Sequence, residues 1–169
     1  MKIAVAGGGA FGTALAVALV LDGKAVTLWA RDAAAVKQMQ DDRTNSRLAG
    51  VTLPKGLQPT NDLAILFEAE IVLLATPAQT LRDFLLTHKD ALAGKTLVAC
   101  CKGIDLQTMT GPVSTIRDCV PSATAAMLTG PSFAADIAKG LPTALTLACA
   151  DEDKIEALQT TLSTQTLRL

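Results

Sequence analysis

The sequence predicts an α/β fold, a doubly wound and mostly parallel sheet with helices on both faces. Short apolar runs, of which Ile3-Ala4-Val5-Ala6 is the first, alternate along the chain with longer helix-period stretches. The runs are apolar almost throughout, as strands buried on both faces are. Right-handed crossovers between parallel strands then leave a doubly wound sheet as the natural closure.

Taken in order, Ile3–Ala6 reads as a buried strand and Thr13–Leu21 as a helix apolar on nearly every face. That helix closes on Asp22-Gly23, with glycine at the left-handed position. Ala25–Trp29 is a second strand, followed by a helix over Asp32–Gln40 that Asp32 can cap. The stretch Asp42–Asn61 is irregular, because Asn45, Gly50, Pro54, Gly56 and Pro59 interrupt every period. Loops of that length in a compact domain are more often functional than accidental. Next come a strand at Glu70–Thr76 stopped by Pro77, a helix over Gln79–Thr87, a strand at Thr96–Cys100 and a helix from about Met109 to Cys119. A strand at Ala123–Leu128, a short helix after Pro131, a strand at Thr143–Cys149 and a helix at Asp151–Leu162 follow. Gln165–Leu169 reads as a last strand, an ending that suits a complete protein or one domain of a longer polypeptide.

With 169 residues, half of them hydrophobic, the chain has material for one core and one domain. Fifteen basic residues against sixteen acidic ones give a net charge of −1, so no bulk field draws the chain to nucleic acid or acidic lipid. Any bound anion must be held locally. The four cysteines form no CxxC pair and have no histidine at metal spacing, so no metal site is expected and the thiols read as reduced, in a cytoplasmic protein. Met1-Lys2 with the uncharged run Ile3–Leu21 has the outline of an export signal or short membrane span. Clustered glycines cut that run, and Asp22-Gly23-Lys24 replaces a cleavage site, so neither export nor membrane insertion is expected.

The glycines carry the first chemical signal. Gly7, Gly9 and Gly12 satisfy G-x-G-x-x-G between a predicted strand and a predicted helix, the context a dinucleotide fingerprint requires. Gly7 would permit the tight turn, Gly9 the approach of backbone to a diphosphate, and Gly12 the close packing of helix on strand. The helix N-terminus then offers free N–H groups to phosphate; the competing reading is a flexible turn. A ribose-binding acid is expected about 20 residues further on, where this chain has Arg31-Asp32. Arg31 sits where a 2′-phosphate or the adenine face would be contacted, so the cofactor is NAD or NADP. Asp32 serves either the ribose or the helix cap.

Two other segments sit at predicted strand ends. Cys100-Cys101-Lys102-Gly103-Ile104-Asp105 places a lysine where it can neutralise a phosphate or polarise a carbonyl, against the ordinary alternative of a solvated lysine. In Thr129-Gly130-Pro131-Ser132-Phe133-Ala134, Pro131 is expected in the first helical turn, with the next amides and the Ser132 hydroxyl forming a second anion cradle. A plain helix start is the alternative there. His88, between Thr87 and Lys89-Asp90, reads as surface, and Cys100 and Cys101 as buried small residues. Asp136 and Asp151 belong to helix first turns.

Three segments in order, GGGAFGTALA, CKGID and GPSFAADIAKGLPTA, resemble the bacterial-type NAD(P)-dependent glycerol-3-phosphate dehydrogenases, and RTNSRLAGVTLP matches that family's link between the second and third strands at Arg43, Asn45 and Pro54. The resemblance implies a Rossmann-type dinucleotide-binding domain over residues 1–169 and reduction of dihydroxyacetone phosphate to sn-glycerol 3-phosphate, a phospholipid precursor, in the cytoplasm. By position, Gly7, Gly9, Ala10, Phe11, Gly12 and Arg31 would line the dinucleotide and Lys102 would touch cofactor and substrate. Gly130 and Ser132 would hold substrate, and Ala134 would return to the cofactor. The family's helical second domain, which carries the proton-donor lysine, is absent, so the chain alone is expected to bind dinucleotide and turn over poorly. Homodimerisation of the full-length protein stays open. Rival readings are a dehydrogenase for another 2-keto or 2-hydroxy compound and a non-catalytic module that senses dinucleotide.

Overall fold

The computed structural model describes residues 1–169. Its strands are β1 (Ile3–Ala6), β2 (Val26–Trp29), β3 (Gln58–Thr60), β4 (Ile71–Leu74), β5 (Thr96–Ala99), β6 (Thr124–Thr129), β7 (Thr143–Ala144), β8 (Thr146–Cys149) and β9 (Leu167–Arg168). The helices are α1 (Ala10–Leu21), α2 (Ala33–Asp41), α3 (Ile65–Glu68), α4 (Ala78–Thr87), α5 (Lys89–Leu92), α6 (Pro112–Cys119), α7 (Ala134–Ala138) and α8 (Glu152–Leu162).

Seven strands form one sheet in the order β3-β2-β1-β4-β5-β6-β8. All neighbours are parallel except β6 and β8, which run antiparallel. The chain winds outward from β1 to one edge, returns, and winds from β4 to the other, so the sheet is doubly wound with its reversal between β1 and β4. Successive residues of each central strand feed opposite faces. Ile3, Val5, Ile71, Leu73 and Val98 join α1, α7 and α8 in one core. Ala4, Ala6, Val72, Leu74, Leu97 and Ala99 join α4 and α6 in the other. Each fully buried leucine, such as Leu15, Leu28 or Leu73, contributes about 1.5–3 kcal/mol by leaving water. No helix is long and apolar enough to cross a membrane.

The first helix ends as expected: Asp22 is its C-cap, Gly23 has φ +82°, and the Lys24 N–H closes on the Leu19 carbonyl at 3.0 Å. Several elements depart from the expectation. The stretch read as loop over Asp42–Asn61 contains the edge strand β3, whose Pro59 is tolerated because its edge needs no donor. The short helices α3 and α5 were not expected. The helix assigned from Met109 begins at Pro112, since Met109 has φ +55°. The strand read over Thr143–Cys149 breaks at Leu145: β7 leaves the main sheet to pair with β9, and β8 alone pairs with β6. His88 is half-buried, edge-on to Phe84 at 4.8 Å, and this burial pushes its pKa down.

Candidate functional site

Because β1, β4, β5 and β6 are parallel, their carboxyl ends lie along one sheet edge, and the segments that follow them are Gly7–Gly12, Ala75–Ala78, Cys100–Asp105 and Gly130–Ala134. At about 4.8 Å per strand, the edge from β1 to β6 spans roughly 14 Å. The structure thus brings the sequence-predicted segments together.

The three fingerprint glycines differ in kind. Gly7 has φ +133°, donates its N–H to the Trp29 carbonyl at 2.9 Å, and would press a Cβ to 2.5 Å from the Ala75 carbonyl oxygen. Gly12 lies within α1, where a Cβ would overlap the Gly7 carbonyl and stand 2.9 Å from the Ala75 Cβ. These two glycines let helix, turn and β4 touch. Gly9 is the N-cap of α1, with extended φ −72° and ψ 175°, and a Cβ there would meet nothing within 4 Å. Glycine at position 9 therefore answers to no contact inside the fold. No side chain caps α1, so its first-turn N–H groups and the positive end of its dipole are left without a protein side-chain partner. A diphosphate suits this donor set. Ala10 and Phe11 are half-buried in that same first turn, against the core.

The turn is fastened from a distance. The Asn45 side-chain amide, 7% exposed, donates to the Gly8 carbonyl at 3.0 Å and to the Thr13 hydroxyl at 2.8 Å. Asn45 is a functional candidate that residue-by-residue reading missed; only the match of its segment to the resembling family marked it.

At the end of β2, Asp32 settles as the cap of α2: its Oδ1 accepts the N–H groups of Ala34 at 2.9 Å and Ala35 at 3.2 Å. Arg31 and Lys102 are exposed and stand outside every ion pair of the fold. Both cations are free to meet an anion. Behind Lys102, Cys100 and Cys101 are buried, and burial pushes both thiols up, as expected of inert core residues. All four cysteines are unbonded, and no cluster of metal-ligating side chains is present.

The Gly130 segment corrects one expectation. Pro131 is not in a helical turn: α7 opens at Ala134 with Phe133 as N-cap. Gly130, at φ +155°, and the Ser132 N–H bonded back to its carbonyl at 3.1 Å make a tight turn that delays the helix. The Ser132 amide is thereby consumed, so the second cradle loses one donor. The Ser132 hydroxyl, however, is buried with no partner, as is the Thr76 hydroxyl beyond β4. Buried hydroxyls are ordinarily paired, and here both orphans belong to strand-end segments of the same edge. Ser132 borders a cleft of about 280 Å³ that includes Phe133, Asp136 and Thr143. Helix α7 packs on α1, so Ala134 and the glycine turn ride on one helix pair.

Over residues 2–155 the chain matches the family described as NAD-dependent glycerol-3-phosphate dehydrogenase N-terminus. It is 55% identical over 170 residues to a glycerol-3-phosphate dehydrogenase [NAD(P)+] of Ruegeria sp. (strain TM1040), covering 100% of this chain and 53% of that protein. It is 56% identical over 169 residues to the protein of that name from Paracoccus denitrificans, covering 100% of this chain and 52% of the relative. Among solved structures, the Coxiella burnetii glycerol-3-phosphate dehydrogenase superposes with a TM-score of 0.91 at 28% identity, over 99% of this chain and 52% of that one. The chain spans about half the length of these relatives. It belongs to the family of NAD-dependent glycerol-3-phosphate dehydrogenase N-terminal domains.

Proposed function

We propose that this chain is the cofactor-binding half of an oxidoreductase that reduces dihydroxyacetone phosphate to sn-glycerol 3-phosphate with NADH or NADPH. The observation that carries the reading is Gly9: the fold leaves its Cβ direction empty and the first turn of α1 uncapped. When bound, the reduced nicotinamide supplies the hydride. This chain's residues bind and orient. The N–H groups of Ala10–Gly12 hold the diphosphate at the helix N-terminus, while Gly7 and Gly12 hold that helix against β4. Arg31 meets the adenosine end of the cofactor. Lys102 touches the cofactor and, with the Ser132 hydroxyl on the neighbouring strand end, holds the phosphate ester and its carbonyl beside it, while Gly130 shapes the substrate pocket and Ala134 returns to the cofactor.

Reduction of a carbonyl also needs an acid for the developing alkoxide. We assign that acid to the second half that the relatives possess, so the 169-residue chain binds dinucleotide and turns over poorly. The product suits phospholipid assembly in the cytoplasm. A net charge of −1 gives no support for a nucleic-acid partner. The test is titration of the chain with NADH and NADPH, followed by quenching of its single tryptophan, Trp29, whose carbonyl holds Gly7. Saturable quenching with a raised melting temperature is expected; no response to either dinucleotide would end this reading. Steady turnover of dihydroxyacetone phosphate by the chain alone would overturn the assignment of the acid.

A further inference from the structure

Gln79 and Arg82 lie three residues apart on α4, hence on one face of the helix. Both reach the segment beyond Lys102. Gln79 Nε2 donates to the Ile104 carbonyl at 2.7 Å, and its Oε1 accepts the Leu106 N–H at 3.3 Å. Arg82 Nε donates to Asp105 Oδ2 at 2.5 Å, and its Nη2 donates to the Thr108 hydroxyl at 3.1 Å. Asp105 also accepts the Gln107 N–H and the Thr108 hydroxyl, both at 2.9 Å. The loop is therefore bolted to α4 through backbone and side chain at once.

Arg82 also ties α4 to α6 through the Cys119 thiol at 3.5 Å, but the loop itself adds little to either core. None of residues 102–109 enters either hydrophobic core. Ile104, Leu106 and Met109 are exposed, so the loop returns little apolar burial for the entropy of ordering it. What the clamp does fix is the backbone two and three residues beyond Lys102, with only the turn at Gly103, φ +112°, between them. Helix α4 itself starts four residues after β4, beside the orphaned Thr76 hydroxyl of the site edge.

We propose that Gln79 and Arg82 are positioning residues: by fixing Ile104 and Asp105 to α4 they aim Lys102 at the bound ligand. This rests on the reading of Lys102 as a ligand contact, and a double-substitution cycle separates the two. In the 169-residue chain titrated with NADH, Lys102→Ala and Gln79→Ala should each weaken binding on the order of fivefold. The double variant should bind no worse than Lys102→Ala alone, because nothing remains to be aimed. Gln79 is exposed, so the ligand-free melting temperature of Gln79→Ala should stay within about 2 °C of the parent. Arg82→Lys, which keeps the charge and loses the planar fork, should bind better than Arg82→Gln. Additive losses in the double variant overturn the proposal. A silent Gln79→Ala beside a weakened Lys102→Ala overturns it and leaves Lys102 standing. A silent Lys102→Ala, or a parent chain that does not bind NADH, overturns both.

Discussion

Asn45 and Thr13 are 32 residues apart in sequence and joined by a buried 2.8 Å hydrogen bond, and the same Asn45 amide reaches the Gly8 carbonyl. The long segment between β2 and β3 is thus a strap on the Gly7–Gly12 turn. Arg43 organises the strap, donating to the carbonyls of Leu53, Pro54 and Leu57.

Removing the strap's amide should weaken both fold and site. Asn45→Ala leaves the Gly8 carbonyl and the Thr13 hydroxyl without their donor, a loss of about 1–3 kcal/mol. Urea denaturation should show that loss as a lower midpoint at unchanged slope, and NADH titration should show weaker binding. Asn45→Asp, which cannot donate to a carbonyl, should be no better than alanine. A stable Asn45→Ala chain with parental NADH affinity would show that the turn holds itself.

The sequence made the sheet legible because β1, β4 and β5 are short apolar runs between turn signals. Three features escaped it for physical reasons. Strand β3 is Gln58-Pro59-Thr60, with no apolar run to mark it. The direction of β8 leaves no trace in its own residues, since an apolar run reads alike whether it pairs parallel or, as β8 does with β6, antiparallel. Pro131 looked like a helix start because the turn made by Gly130 and Ser132 is a matter of backbone angle. Within the candidate site, the glycine turn is marked locally by its G-x-G-x-x-G spacing. Asn45, Gln79 and Arg82 act over 23 to 37 residues of separation, which local patterns do not encode.

Gly9 and Gly12 should fail differently when given a methyl group. Gly12→Ala drives a Cβ into the Gly7 carbonyl, a clash of backbone on backbone that should cost about 1–3 kcal/mol or more. Gly9→Ala has open space and an ordinary φ of −72°, so its thermal stability should stay near the parent's. Its methyl would occupy the space assigned to the diphosphate, and NADH binding should fall at least about tenfold, the equivalent of 1.4 kcal/mol. Parental affinity in a folded Gly9→Ala chain would place the diphosphate elsewhere.

Acid should loosen the Lys102 loop. The Arg82 guanidinium, followed by the Gln107 N–H, holds the Asp105 carboxyl well below its usual value, at about 2. A carboxylate with a depressed folded-state pKa contributes stability that is fully present above its unfolded value, about 3.9. That contribution is lost as pH falls from there through about 2. Urea midpoints should therefore decline across this window in the parent and decline less in Asp105→Asn, which has no charge to lose. Parallel declines in the two chains would remove Asp105 from the acid response.

Arg31 offers the means to separate the two cofactors. Asp32, the acid beside it, already spends Oδ1 on the Ala34 and Ala35 N–H groups, whereas Arg31 is exposed at the end of β2. A guanidinium binds a phosphate ester by charge-assisted, two-pronged hydrogen bonds, and a ribose hydroxyl offers no comparable partner. Arg31→Glu should therefore weaken NADPH by about tenfold or more while changing NADH far less, and added salt should narrow the difference by screening. Equal losses for both dinucleotides would instead assign Arg31 to the adenine face that they share. No loss for either would move the adenosine end away from β2.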